Sequence, residues 1–206
     1  LRKMANSMPA PNKYVVAKDA QEVTLVDYDE ELEEKVAAAA LYGQSDRPLK
    51  ALREYVKSLP AAERQKIVEA AWKERQNRRQ KPGRPFENAY YTFDFCANFG
   101  AFRDLQRHRV LTQEKQLLST RRGFDTPTEL AEAGLETEYQ EALRAAGEAF
   151  ESMARDLPNE AQYVVPLAYR LRWYATLNAR EAMHLIELRS MPQGHPDYRR
   201  VVQKMH

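Results

Sequence analysis

The segment Phe86-Glu87-Asn88-Ala89-Tyr90-Tyr91-Thr92-Phe93 leads, a short way downstream, into Arg107-His108-Arg109. The aromatic and β-branched residues over positions 90–95 predict a strand, and residues 98–107 predict a short helix or turn that delivers the triplet. Two arginines and a histidine place fixed cations and a titratable imidazole where an anionic ligand can reach them. The triplet is therefore a candidate binding site, although Arg-rich triplets also form solvated faces and structural ion pairs.

Length and composition are those of one soluble globular domain. The chain has 206 residues, of which 43% are apolar and 30% charged, and this is enough for a sizeable core. No run approaches the roughly 18 apolar residues of a membrane span, so we expect a cytoplasmic protein with no membrane partner. The polar, proline-containing residues 1–20 predict an N-terminal extension ahead of a domain over residues 21–206. Because the chain begins at Leu1, we expect it to be a fragment or one half of a longer protein.

The single cysteine, Cys96, excludes an internal disulfide framework and provides no zinc cluster. It lies among Phe95, Phe99 and Phe102, which favours a small buried apolar side chain over a reactive thiol. We therefore predict no metal site.

The net charge of +2 is nearly balanced, so nothing global requires nucleic acid or an anionic membrane. The local exception is a cluster of basic residues, namely Lys73, Arg75, Arg78, Arg79, Lys81 and Arg84. This basic segment is a candidate polyanion surface. A solvated helix end is favoured instead, because no aromatic residues interleave to stack bases and Pro82-Gly83 ends the helix.

Hydrophobic spacing predicts the elements of the first half of the domain. Residues 22–28 alternate as a strand, and residues 29–42 predict a helix that ends at Gly43. Two further helices are predicted over residues 48–58 and 59–80, with Ser58 as the N-cap of the second.

Two long helices are predicted for the second half. The first begins at Thr126-Pro127-Thr128-Glu129, with Thr126 as N-cap and Glu129 as its capping-box partner. The second runs from about Ala161 to Ser190. Its apolar stripe is interrupted by Glu181, and a carboxylate in such a position is more often ion-paired or at the stripe's edge than a ligand group.

Several separated motifs resemble the flavin-dependent thymidylate synthase family. Residues 86–93 resemble the family's L-E-H-x-x-F-T-F segment, and Arg107-His108-Arg109 resembles its R-H-R signature. Downstream, Asn178-Ala179-Arg180 and Glu187-Leu188-Arg189 are similar to its N-A-R and L-R elements, while residues 23–42 are similar to its opening strand and helix. Motifs in the right order are far more specific than any one of them, and the resemblance covers about residues 23–199.

The resemblance implies an α+β fold, with a mixed or antiparallel sheet and long helices, for a flavin-binding domain over residues 21–206. It implies methylation of deoxyuridylate with FAD as cofactor, and with NADPH and methylenetetrahydrofolate as co-substrates, in thymidylate (dTMP) biosynthesis. It also implies a homotetramer, or pairing with a second similar domain, with sites built between subunits.

The resemblance also implies roles for individual residues. Arg189 would be catalytic, stabilising charge on the pyrimidine ring. Cofactor binding would fall to Arg107, His108, Arg109, Asn178, Arg180 and His184. Substrate binding would fall to Asp104, Arg107, Ser119, Arg121, Gln162 and Arg189.

The sequence departs from the family pattern mainly on the nucleotide side. Leu117 stands where the signature has serine, so that Ser119 and Arg121 serve only with a two-residue insertion. Asn88 replaces a histidine, Asp104 a glutamine and Gln162 an arginine; His184 replaces an asparagine near flavin. Each lost charge-assisted contact would cost about 1.5 to 3 kcal/mol. The alternative is therefore a catalytically degenerate member that serves as a structural or flavin-binding domain.

Overall fold

The computed structural model describes residues 21–206, and the predicted extension over residues 1–20 lies outside them. Four antiparallel strands form one sheet in the order β1-β2-β4-β3. The strands are β1 (Val23–Tyr28), β2 (Tyr90–Asn98), β3 (Leu111–Lys115) and β4 (Arg170–Asn178). The α+β class and the antiparallel sheet are thereby confirmed.

Helices flank this sheet within residues 21–206. They are α1 (Leu32–Tyr42), α2 (Leu49–Ser58), α3 (Ala61–Ala70), α4 (Phe99–Leu105), α5 (Thr128–Glu132), α6 (Glu136–Met153), α7 (Ala179–Arg189) and α8 (Pro196–Gln203). Short 3₁₀ turns cover Arg84–Asn88 and Glu160–Val164. No helix in this part of the chain has the length and apolar character needed to span a membrane.

The core forms where β2 and β4 pair and bury one face of the sheet. Phe95 lies opposite Trp173 in the ladder, and their rings stack with centroids 4.9 Å apart. Phe102 of α4 meets the same indole edge to face at 5.3 Å. Helices α4, α7 and α8 contribute further apolar side chains to this cluster. Cys96, on the same strand as Phe95, is buried as expected.

The two central strands each end in a capping asparagine. The side chain of Asn98 accepts a hydrogen bond from the Ala101 backbone N–H (2.8 Å) and starts α4. That of Asn178 accepts one from the Glu181 N–H (2.9 Å) and starts α7. Because Tyr90 pairs with Asn178 and Asn98 with Arg170, the two strand–helix units are related by a local two-fold. Their helices therefore start at opposite ends of the sheet and cover the same face.

The long helix predicted over residues 161–190 is wrong for its first half. Residues 170–178 form strand β4, and the helix is confined to Ala179–Arg189. Leu171, Trp173, Ala175 and Leu177 alternate with more exposed residues, which is the period of a half-buried strand. The pairing with β2 decides between this period and the helical one.

Two other helix predictions differ from the structure at their ends. Helix α3 ends at Ala70 rather than near residue 80, and Pro60, not Ser58, occupies its N-cap position. The hydroxyl of Ser58 instead donates to the Tyr55 carbonyl (2.6 Å), which closes α2. Thr126 does not cap a long helix either, since Pro127 precedes the short α5 and makes no side-chain cap bond.

A glycine separates α5 from α6. Gly134 has φ +70, and a Cβ added there would meet no heavy atom within 4 Å. The left-handed conformation, rather than crowding, is therefore what favours glycine at this position. It lets the chain leave α5 and start α6 two residues later, which is why one continuous helix does not form.

We expect Gly134→Ala to lower the free energy of unfolding by about 1 to 2 kcal/mol, because a Cβ strains the left-handed backbone. Gly43→Ala is the matched control. Gly43 also has open space around it but lies at φ −69, so its replacement should leave stability unchanged or slightly raised. Urea unfolding of both variants measures the difference, and equal stability of the two would contradict it.

Glu22, just before β1, holds the C-terminal helix to the sheet edge. Its carboxylate accepts hydrogen bonds from Arg200 (2.9 Å from Nη2) and forms an ion pair with Lys204 (2.7 Å). Burial alone would raise the pKa of Glu22, but the hydrogen bonds and charges of Arg200 and Lys204 together outweigh it and lower the pKa below its ordinary 4.5. A carboxyl with a lowered folded pKa stabilises the fold above its unfolded pKa and loses that effect at lower pH.

We expect Glu22→Gln to cost about 1 kcal/mol of unfolding free energy at pH 7. The gap between wild type and variant should shrink as the pH falls below 4.5 through the lowered pKa of Glu22. Glu63→Gln is the control, because Glu63 pairs with Lys66 at an exposed site and should change stability little. Denaturant unfolding at neutral and acid pH tests this; a gap that persists in acid would refute it.

Candidate functional site

The candidate site is built where α7 passes the turn that follows α4. Helix α7 begins at the Asn178 cap, and Glu181 lies in its first turn, 8% exposed. The chain leaves α4 at Leu105 and turns back, with the His108 N–H donating to the Leu105 carbonyl (3.1 Å). This turn places the buried His108 ring against α7, with Nδ1 2.8 Å from Glu181 Oε1.

Arg189, the last residue of α7, completes the cluster. Its Nε donates to His108 Nε2 (3.1 Å), and its Nη2 donates to the backbone carbonyl of Asp104 (3.1 Å). The guanidinium also lies over the ring of Tyr198 in α8, 5.4 Å from the centroid, a distance that suits a cation–π contact. Three different elements therefore hold one arginine at a half-buried position.

The flanking arginines of the triplet lie on the surface beside this cluster. Arg107 is exposed and forms an ion pair with Asp104 (3.2 Å). Arg109 is exposed and has no ion pair with any residue in the part of the chain that the structure describes. Asp104 thus pairs with an arginine. The two arginines flank His108, which is hydrogen-bonded to Arg189, and we call this exposed surface the cationic edge.

Asn178 and Arg180 lie close by but have structural partners. Asn178 uses its side-chain oxygen to cap α7. Arg180 donates from Nε to the Pro82 carbonyl (2.8 Å) and from Nη1 to Glu87 (2.6 Å). Both side chains therefore anchor local structure, and any contact with a cofactor would be additional to these bonds.

Three of the predicted substrate residues form a second group around the loop after β3. Ser119 accepts a hydrogen bond from Arg122 (3.2 Å), and Arg121 makes a two-pronged ion pair with Glu151 (2.7 and 2.9 Å). The side chain of Gln162 accepts from the Leu118 N–H (3.0 Å) and donates to the Asn159 carbonyl (3.1 Å). Their roles in substrate binding remain predictions.

His108, Glu181 and His184 also form a group whose ligand atoms lie within 4.8 Å of one another, so they could hold a metal ion. His184 is exposed, and its ring centroid lies 5.7 Å from that of His108. Both nitrogens of His108 already take part in hydrogen bonds, and the Arg189 guanidinium next to them opposes a second cation. A hydrogen-bonded relay describes the cluster better than a metal centre does.

A large cavity of about 1030 Å³ lies at the other end of the sheet. Asn98, Asp125, Asp197, Arg170 and Arg200 contribute to its lining. These side chains bond to one another: Asn98 donates to both aspartates (3.0 and 2.8 Å), and Arg170 pairs with Asp125 (2.6 Å). None of the predicted site residues lines this cavity; Arg107 and Arg109 of the cationic edge are exposed instead.

Sequence reasoning leaves two contributors out of the site. Glu181 interrupts an apolar stripe, and that interruption is its signal; its carboxylate has a polar partner, the His108 ring. Tyr198 has no chemical signal of its own, since an aromatic residue on an amphipathic helix is usually core.

Residues 24–206 match the sequence model of a protein family that is described as thymidylate synthase complementing protein. The chain belongs to this family. The flavin-dependent thymidylate synthase resemblance of its motifs is therefore confirmed, and the family match extends over nearly the whole described domain.

Curated relatives extend the match in sequence. A UPF0159 protein of Chlamydia pneumoniae is 46% identical over 167 residues, which is 81% of this chain and 32% of that protein. A UPF0159 protein of Thermoplasma acidophilum is 38% identical over 190 residues, or 90% of this chain and 38% of that protein. The chain thus spans about a third of the length of these relatives.

Solved structures share the fold at low sequence identity. A UMP/dUMP methylase from Streptomyces cacaoi, bound with 5-Br dUMP, matches with a TM-score of 0.68 and 21% identity, over 89% of this chain and 87% of the other. The flavin-dependent thymidylate synthase of Helicobacter pylori, complexed with FAD and dUMP, matches with a TM-score of 0.63 and 16% identity, over 90% and 92%. These likenesses establish the family fold.

One arginine of the basic segment makes a structural ion pair. Arg75, whose side chain is 12% exposed, donates from Nη1 to Glu187 of α7 (2.6 Å), and its Nη2 binds the same carboxylate. Hydrogen bonding to Glu187 raises the pKa of Arg75 further above its ordinary range. Arg78 and Arg79 are exposed. The segment therefore braces the helix that carries Arg189.

We expect Arg75→Ala to lower the free energy of unfolding by about 1 to 2 kcal/mol, because it leaves Glu187 without its partner. Arg78→Ala is the matched control and should change stability by less than about 0.5 kcal/mol. Denaturant unfolding of the two variants measures the difference. An Arg75→Ala protein of full stability that had lost salt-dependent DNA binding would instead identify a nucleic-acid surface.

Proposed function

We propose that the protein is a flavin-dependent thymidylate synthase-like methyltransferase that methylates deoxyuridylate. FAD is the cofactor, methylenetetrahydrofolate supplies the methylene group and NADPH the hydride. The observation that carries this proposal is the restrained guanidinium of Arg189. It bonds through Nε and Nη2 to His108 and Asp104, and Nη1 has no hydrogen bond to any residue of 21–206, so we propose that this nitrogen faces the ligand. Family membership and fold likeness to proteins solved with FAD or dUMP support it.

The cationic edge fits a phosphate-bearing cofactor or substrate. Arg107 and Arg109 are both exposed and flank His108, which is bonded to Arg189, and arginine's planar fork suits bidentate binding of phosphate. FAD, when bound, supplies the redox chemistry, while the protein neutralises charge and orients the reactants. His108, Asn178, Arg180 and His184 are the further residues proposed to face it.

Arg189 is the proposed catalytic residue. A fixed guanidinium that hydrogen-bonds a pyrimidine carbonyl stabilises negative charge developing on the ring. One well-placed donor of this kind is worth about 3 kcal/mol, or roughly a hundredfold in rate. Since arginine does not titrate in the working range, the group keeps its charge throughout the reaction.

The open position of the cationic edge supports a site shared between chains or domains. A flavin and a nucleotide need a pocket that buries most of their surface, and Arg107 and Arg109 lie on exposed surface instead. The matched segment is about a third of the length of the relatives. We therefore propose a homotetramer, or a pairing with a second similar domain, that encloses this edge, in a cytoplasmic enzyme of thymidylate synthesis.

A second candidate is a degenerate member that keeps the fold and serves a structural or flavin-binding role. It is favoured by the state of the replaced residues. Leu117, at the place of the signature serine, is 61% exposed, and Gln162 uses both ends of its amide within the protein. This candidate predicts normal assembly without thymidylate formation.

We expect Arg189→Lys to lower kcat for thymidylate formation about a hundredfold, since a lysine cannot keep both the Asp104 and His108 bonds and also face the pyrimidine. Arg53→Lys is the control, because Arg53 pairs with Glu31 at an exposed site on α2. Product formation is followed by chromatography with all co-substrates present. Equal rates for the two variants would remove Arg189 from the mechanism.

A visible spectrum separates the two candidates. A yellow protein that is bleached by NADPH and whose spectrum shifts on addition of deoxyuridylate supports the enzyme. A protein that refuses added FAD, or that binds FAD but forms no thymidylate, identifies the degenerate member.

A further inference from the structure

We infer that Glu181 is a positioning residue, which acts through His108 to fix the direction of the Arg189 guanidinium. The catalytic consequence of this positioning rests on the proposed function, whereas the positioning itself does not. Among residues 21–206, the Glu181 carboxylate hydrogen-bonds to His108 Nδ1 (2.8 Å), the ring nitrogen that does not face Arg189, and not to Arg189 itself.

The two hydrogen bonds of His108 determine where its proton lies. The Arg189 guanidinium is always protonated and its Nε–H can only donate. His108 Nε2, 3.1 Å from it, must therefore be the acceptor. The neutral ring then carries its hydrogen on Nδ1 and donates it to Glu181 Oε1. Glu181 is the group that stabilises this tautomer.

Burial makes this arrangement hard to replace with water. His108 and Glu181 are each only 8% exposed, so an Nδ1–H without its acceptor would be a buried unsatisfied donor, which native structures avoid because of its desolvation cost. A ring without Glu181 avoids that cost by moving its hydrogen to Nε2. Two N–H groups would then face each other, and the bond to Arg189 would break.

The second carboxylate of the same helix provides the comparison. Glu187 also forms a partly buried pair, with Arg75, but its carboxylate bonds to that guanidinium and not to the His108 ring. If Glu181 only stabilised the fold, its loss and the loss of Glu187 would have similar effects at Arg189. If Glu181 sets the tautomer of His108, only its loss should move the hydrogen of the imidazole and weaken the hydrogen bond from Arg189 Nε.

The test is nitrogen NMR of the protein with ring-labelled histidine and labelled arginine. The chain has four histidines, so the ring signals are few, and a His108→Gln variant assigns the one that matters. We expect a protonated Nδ1 and an unprotonated Nε2 in the wild type, with a slowly exchanging Nε–H on Arg189. A wild-type ring protonated on Nε2 would overturn the inference without any substitution at Glu181.

Three variants then separate the relay from simple support. Glu181→Leu should move the His108 hydrogen to Nε2 and make the Arg189 Nε–H exchange at least about tenfold faster. Glu181→Gln should keep the tautomer, because an amide oxygen still accepts from Nδ1–H while Arg189 holds Nε2 as the acceptor. Glu187→Leu should leave both signals unchanged. An unchanged tautomer in folded Glu181→Leu, or the same shift in Glu187→Leu, would refute the relay.

The kinetic readout is kept apart from the structural one. In an active protein, Glu181→Leu should reduce kcat about tenfold or more with little change in the KM for deoxyuridylate, and should add little further loss to Arg189→Lys. If the wild type forms no thymidylate but shows the expected tautomer and variant shifts, the proposed function fails and the relay stands. If thymidylate forms and the tautomer does not respond to Glu181→Leu, the proposed function stands and the positioning role of Glu181 fails.

Discussion

The antiparallel ladder between β2 and β4 is the constraint on which the rest of the structure depends. It sets the Phe95–Trp173 stack at the centre of the core and fixes where each strand ends. Because the ladder pairs the start of each strand with the end of the other, the two capping asparagines lie at opposite ends of the strand pair. The cavity whose charged side chains pair with one another lies at the end with Asn98. The cationic edge lies at the end with Asn178, where α7 begins. The register of β2 against β4 therefore decides which end of the sheet carries each of these two groups of charged residues.

At the cationic edge, backbone geometry and side-chain chemistry are joined by one helix. The Asn178 cap fixes the start of α7, so Glu181 faces inward and Arg189 falls at the helix's far end. The turn after α4 inserts His108 between them. Helix α7 is in turn braced by Arg75 and by Arg180 at its outer side.

Local pattern is enough to predict much of this fold but not its central strand. The start of α4 after Asn98 and the strand before it follow from turn and β-branched signals in a short window. Strand β4 is predicted as helix because Leu171 and Leu177 satisfy both the helical and the strand period. Only the pairing with β2, some eighty residues away, decides it. In the site, motif order identifies His108 and Arg189, whereas Glu181 requires knowing that the imidazole lies against it.

Two of the positions that depart from the family pattern, Asp104 and Gln162, make structural contacts in this chain. Asp104 pairs with Arg107, and its carbonyl supports Arg189. Gln162 ties the Leu118 backbone to Asn159, so an arginine there would have to break two hydrogen bonds before reaching any ligand. Arg189 is held by the His108 ring and by the backbone carbonyl of Asp104, so its position does not depend on the replaced side chains.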